Sequence, residues 1–156
     1  MKTICLWVWI LGCAAGALRA QSDKIDSLEK VVARAGEDTV KARSLCRLCR
    51  ELSGRGRLDE ALKQGTAGLK LAQKLKDEKG LALCFHNLGN VYYNQGDYTR
   101  ATEHYLKSLE IRQRIGDPKG MASCHNNLGV AYSDQGDYAR ATEHYLKGLA
   151  ICERMG

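Results

Sequence analysis

The segment NLGNVYYNQGDYTRATEHYLKSL at residues 87–109 returns as NLGVAYSDQGDYARATEHYLKGL at residues 127–149. At that offset, residues 81–116 and 121–156 agree at 22 of 36 positions, more than shared composition can give. Repetition at such a period predicts stacked supersecondary units, each too small to bury its own core, rather than a closed catalytic domain. The phase continues backward with less fidelity. Ala42, Leu48, Leu52, Gly56, Ala61 and Leu69 stand one period before Ala82, Leu88, Tyr92, Gly96, Ala101 and Leu109. The reading is three copies within residues 39–156 (41–80, 81–120 and 121–156), with residues 21–38 supplying a linker and an N-terminal cap helix. Gly156 matches Gly116, after which a further copy would begin, so the array is expected to be incomplete at its C-terminal end.

Within each copy, apolar residues recur at helical spacing in two runs. Ala82, Phe85, Leu88, Gly89 and Tyr92 form one, and Tyr98, Ala101, Tyr105 and Leu109 form the other. NQGD between them predicts a turn, with Gly96 ending one helix in the left-handed region and Asp97 capping the next. IGDPKG repeats this between copies, with Pro118 in a first helical turn. Each copy is thus two antiparallel helices. Gly89 and Gly129 cost about 1 kcal/mol each in a helix interior, which predicts a repeated gain from close approach of the two helix backbones, with Ala101 and Ala141 facing the crossing. Tyr92, Tyr105, Tyr132 and Tyr145 are expected in the core and between copies.

The arrangement Leu88-Gly89-x-x-Tyr92, Ala101-x-x-x-Tyr105-x-x-x-Leu109 resembles the tetratricopeptide repeat in a lengthened, forty-residue form. The resemblance covers residues 41–156; in copy one, Cys49, Leu52 and Gly65 replace the Gly, Tyr and Tyr. It implies an all-α helical-hairpin solenoid, a right-handed superhelix whose concave wall comes from the first helix of each pair and receives a peptide or a partner's helix. On that reading the wall carries Arg43, Cys46, Arg47, Arg50, Ser53 and Gly54 in copy one. Copy two gives Leu83, His86, Asn87, Asn90, Tyr93 and Asn94; copy three gives Ser123, Asn126, Asn127, Val130, Ser133 and Asp134. Asn87 and Asn127 recur at one phase and can each donate and accept, either to a peptide backbone or across copies. Arg43, Arg47 and Arg50 share a helical face, which suits an acidic ligand or simple solvation. They match the family's carboxylate clamp only loosely. The chain also resembles the repeat region that opens exported bacterial signalling proteins, so an input segment for a kinase, cyclase or transcription regulator is the alternative function.

Residues 1–20, MKTICLWVWILGCAAGALRA, combine an early Lys, an apolar run from Ile4 to Leu11 and small residues, the layout of a secretory signal. Ile10-Leu11-Gly12-Cys13 loosely resembles a lipoprotein box that would anchor the chain at Cys13, and a retained anchor is a third reading. Secretion or lipidation predicts an exported, periplasmic or envelope-associated protein. Loss of Lys2 and Arg19 takes the net charge from +6 to +4. No basic stripe interleaved with aromatics accompanies that excess, so nucleic acid is not an expected partner. Cys46, Cys49, Cys84, Cys124 and Cys152 read as small packing residues, Cys46-x-x-Cys49 being the only pair with redox or metal spacing. No metal, cofactor or catalysis is expected. For His86, His104, His125 and His144 no Ser, Cys or third group completes a triad, and no H-E-x-x-H motif or phosphate-cradling loop is present. The last helix, 138–155, has no cap, and Ala141, Tyr145, Leu149 and Ile151 are expected to form an open apolar side that promotes self-association.

Overall fold

A computed structural model describes residues 23–156; the leader, with the signal, lipidation and anchor readings, lies outside the described residues. Regular structure among the described residues is entirely helical: α1 over residues 23–34, α2 Thr39–Ser53, α3 Leu58–Lys74, α4 Glu78–Asn94, α5 Tyr98–Arg114, α6 Pro118–Asp134 and α7 Tyr138–Met155. Helices α2–α3, α4–α5 and α6–α7 pack as pairs, α4 covers α3, and α6 covers α5.

The turns follow from a few residues. Gly96 and Gly136 leave the first helices at φ +78° and +80°, a conformation that costs glycine nothing. Asp97, Asp117 and Asp137 each accept the backbone N–H three residues on, at 2.9 Å, satisfying a donor that a helix start leaves unpaired. Copy one keeps the first habit, with Gly56 at φ +72°, but Arg57 at the cap position makes no side-chain cap, and at the link to the next copy Lys76 takes the place of Gly116 at φ +53°.

Gly89 and Gly129 have a different cause from the expected backbone approach. A Cβ on Gly89 would lie 2.6 Å from Tyr105 Cε1, and one on Gly129 would lie 2.6 Å from Tyr145 Cε1. Each glycine is the hole for the tyrosine ring of its own second helix, and the ring's burial offsets the helical cost of the glycine. Tyr105 and Tyr132 are buried as expected, whereas Tyr145 is 40% exposed because no described helix follows α7.

Two core clusters result. Ile25 of α1 packs with Leu48, Cys49, Leu52, Ala61, Leu88 and Val91, so α1 caps the array. Tyr105, Leu109, Cys124, Leu128 and Tyr132 form the second cluster between copies two and three. Two of the cysteines are more than packing residues: Cys46 and Cys84 form a disulfide joining α2 to α4, with Cα atoms 4.9 Å apart. Cys49 and Cys124 are buried free thiols and Cys152 is an exposed one. No described helix is long and apolar enough to cross a membrane.

Candidate functional site

The first helices do not line up evenly. α2 packs directly against α4, while α4 and α6 stand apart and touch mainly through side chains. Into the gap opens a concavity of about 300 Å3 lined by Arg50, Ser53, Gly54, Asn90, Tyr93, Asn94, Tyr105, Asn127 and Val130. Its floor is a polar chain. Tyr105 Oη donates to Asn90 Oδ1 at 2.8 Å, and Asn127 Nδ2 donates to the same oxygen at 3.1 Å. Asn127 Nδ2 also lies 3.4 Å from His86 Nε2. At the rim Tyr93 Oη donates to Asp134 at 2.5 Å, and Asn94 Nδ2 donates to Ser53 Oγ at 3.0 Å. These bonds tie the walls together yet leave Asn90 Nδ2 and the oxygens of Asn94 and Asn127 without a partner among the described residues. Paired donors and acceptors of that kind match an extended backbone.

Eight expected wall residues therefore converge: Arg50, Ser53, Gly54, Asn90, Tyr93, Asn94, Asn127 and Val130, with Asp134 held to Tyr93 at the edge. Others do not join them. Asn87 is 1% exposed and donates to Cys46 O at 2.6 Å, so it takes the cross-copy role and is withdrawn from the wall. Arg43 is likewise committed, with Nε and Nη2 donating to both oxygens of Asp77 at 2.7 and 2.6 Å. That pair holds the Asp77 carboxyl below its ordinary range. The three arginines are thus not one free basic face: Arg47 is exposed, and Arg50 bonds to its neighbour Glu51 at 2.9 Å while still reaching the groove. Ser123 and Asn126 face a separate hollow beside α7. Tyr105 was missed as a groove residue because its helix, α5, belongs to the outer layer. The large gap left beside Gly89 was the signal that its ring reaches inward.

His86 is a floor residue rather than a contact. Its Nδ1 lies 3.6 Å from Cys124 Sγ, which in turn donates to Ser108 Oγ at 3.4 Å. This places a thiol beside an imidazole, a nucleophile–base arrangement that the linear sequence conceals. Burial, however, pushes the Cys124 thiol up and the His86 imidazole down to about 4. Both groups are held in their neutral forms, and Cys124 is 0% exposed. A reactive thiol needs the opposite shift and an open approach, so this pair is a packing contact. His125 Nδ1 and His144 Nδ1 lie 3.0 Å apart, an interhelix contact within hydrogen-bond distance. In copy two Phe85 replaces His125, and His104 Nδ1 is left buried without a partner. No group of three or more potential metal ligands occurs among the described residues.

Comparison with known proteins agrees with this architecture. Residues 80–154 match the tetratricopeptide repeat family model, and copy one falls outside the match. No curated protein matches the sequence. Among solved structures, the tetratricopeptide domain of Arabidopsis FLU superposes with TM-score 0.68 at 23% identity, covering 72% of this chain and 95% of that one. BtubC from P. vanneervenii gives 0.72 at 26%, covering 87% and 56%. A Rap protein complexed with competence and sporulation factor gives 0.75 at 18%, covering 85% and 37%. This chain thus spans little more than half of BtubC and about a third of Rap. Residues 80–154 thus match the tetratricopeptide repeat family, and the helix pair α2–α3 before them continues the same fold.

Proposed function

We propose that the protein is a non-catalytic interaction module that holds an extended peptide segment of a partner in the groove between α4 and α6. The observation that carries this is that Asn90, Asn94 and Asn127 around one concavity each keep one side-chain amide atom that bonds to no other described residue. The fold it shares with a Rap protein seen in complex with competence and sporulation factor supports the class of partner. Arg50 at the groove and the exposed Arg47 one turn before it favour acidic side chains on the peptide, and Arg43 contributes nothing to that preference. The same reading places the protein outside the cytoplasm, supported by the signal-like leader and by the Cys46–Cys84 disulfide, a bond that persists in oxidising compartments.

Selection of a random dodecapeptide library on the purified chain tests the groove. The expected outcome is enrichment of acidic sequences whose binding falls roughly tenfold in Arg50→Glu, equivalent to about 1.4 kcal/mol. High salt should erode the preference, since exposed charges are screened over about 8 Å. No enriched sequence, or enrichment indifferent to Arg50→Glu and to Tyr93→Ala, sinks the assignment.

A further inference from the structure

We infer that His125 and His144 make a two-imidazole site for a divalent copper or nickel ion between α6 and α7, apart from the peptide groove. The linear sequence conceals the pair, since 19 residues separate the two. α7 lies along α6 with Ala141 and Ile151 buried at 3% and 6%, not on the open side expected of them. That seating sets His144 opposite His125, Nδ1 to Nδ1 at 3.0 Å. Two imidazole nitrogens at this distance cannot both turn bare lone pairs on each other, so a cation belongs between them, either a proton or a metal ion. The spacing fits a metal ion of one geometry. With metal–nitrogen bonds of about 2.0–2.1 Å, cis ligands of a square-planar or octahedral ion stand about 2.9 Å apart, and ligands of a tetrahedral ion about 3.3 Å. Divalent copper and nickel take the former geometry, structural zinc the latter.

Copy two shows which part of the arrangement the fold requires. Tyr92 packs with the His104 ring at 5.0 Å and the Arg100 guanidinium at 4.7 Å, and Tyr132 packs with His144 at 5.4 Å and Arg140 at 4.5 Å. This Arg, Tyr and His set is common to both hairpins. The second imidazole is not: Phe85 stands at the phase of His125, and copy two folds into the same helix pair without it. His125 is therefore surplus to packing, while His144 is already oriented by Tyr132, as a metal ligand must be by its surroundings. The pair does not depend on how the stack ends. His104 is half-buried with α6 packed beyond it, and His144 at the matching phase is half-buried too. Glu143 lies close enough for its charge to act on both rings and bonds to Lys147 at 2.5 Å. That bond offsets the lysine charge beside the ion, and the carboxylate can add an oxygen ligand, with water completing the sphere.

Titration of Cu2+ into the untagged full chain carrying Cys152→Ser, which removes the exposed thiol of α7 as a rival ligand, tests the site when followed by electron paramagnetic resonance. One ion per chain at micromolar concentration is expected, with hyperfine coupling to two imidazole nitrogens, and Ni2+ should compete for it better than Zn2+. His125→Phe, which installs the residue copy two already carries, should weaken binding by roughly tenfold or more, a loss that follows even from disturbing a group behind a ligand. His144→Gln should do the same, and His104→Gln should change nothing. Circular dichroism should show the helicity of the His125→Phe chain unaltered. Binding that survives His125→Phe, a spectrum lacking the two nitrogens, or no saturation at one ion per chain would each overturn the site and leave a shared proton as the whole content of the contact.

Discussion

Where copy one meets copy two, the facing positions carry Cys46, Ser53, Gly65 and Gly68; one period on, where copy two meets copy three, they carry His86, Tyr93, Tyr105 and Ser108. The small set lets the first helices close on each other. A Cβ on Gly65 would meet Leu88 Cδ2 at 2.7 Å, and one on Gly68 would meet Cys46 Sγ at 2.7 Å, so nothing larger fits without a shift. The large set holds α4 and α6 apart and lines the space between them with hydroxyl and amide groups. The groove in this protein is thus what remains when larger side chains keep a junction from shutting.

The same positions also seal the two junctions by different chemistry. Cys46–Cys84 is a covalent bond between residues 38 apart. His86 and Cys124, also 38 apart, make a sulfur–imidazole contact at 3.6 Å. One seal responds to reductant and the other to protons, which allows the two junctions to be broken separately.

The largest effect is expected at the open junction. Tyr105→Ala removes a ring that is 2% exposed and its bond to Asn90, and should cost about 3–5 kcal/mol in urea unfolding. A loss below 1 kcal/mol would mean that the ring does not hold α4 and α6 apart. Next comes the closed junction: Cys46→Ser with Cys84→Ser should cost about 2–4 kcal/mol by releasing a 38-residue loop in the unfolded chain. Cys124→Ser at the matching site should cost clearly less, and equal losses would erase the distinction between the seals.

Arg43→Ala should cost about 1.5–3 kcal/mol, because Asp77, whose side chain is 4% exposed, would lose its bidentate partner. Arg47→Ala should stay within about 0.5 kcal/mol; comparable losses for the two would return Arg43 to the free surface. The remaining perturbation is pH. Burial lowers the folded-state value of His86 to about 4 from an ordinary 6.5, so the unfolded chain takes up the proton first. Stability is therefore full above pH 6.5 and falls as pH drops from there toward 4, by at most about 1.4 kcal/mol per pH unit for this group. Hydrogen exchange at pH 5 and 7 should show α6 and α7 loosening before α2 and α3. Uniform loosening would separate His86 from the junction.

The fold was legible because its cause is periodic. Gly96 and Asp97 announce turn and cap by their own chemistry, and the apolar spacing of copy two is repeated almost unchanged in copy three. Periodicity failed where equal phase met unequal surroundings. Asn87 and Asn127 look equivalent in sequence, yet α2 lies against α4 and buries the first, while α6 stands off from α4 and leaves the second at the groove. The disulfide was hidden for a related reason. Neighbouring first helices run in the same direction, so residues about one period apart meet: Asn87 with Cys46, Asn94 with Ser53 and Tyr93 with Asp134, all 41 apart. A 38-residue separation between two cysteines was the available signal, and it is visible only once the copies are laid side by side rather than end to end.

This lateral pairing also decides which copy could be duplicated. If residues 81–120 were inserted again after position 120, His86 of one unit would face Cys84 of the next, since Cys84 and Cys124 share a phase. The sulfur–imidazole seal would form unaided. Were residues 41–80 repeated instead, Cys46 would face Ser44, the occupant of that phase in copy one, and be left without a partner. Thermal melts of the two lengthened chains should therefore diverge, the first holding its midpoint and the second losing cooperativity. Descent by tandem copying is open to this array from its middle unit and closed from its first.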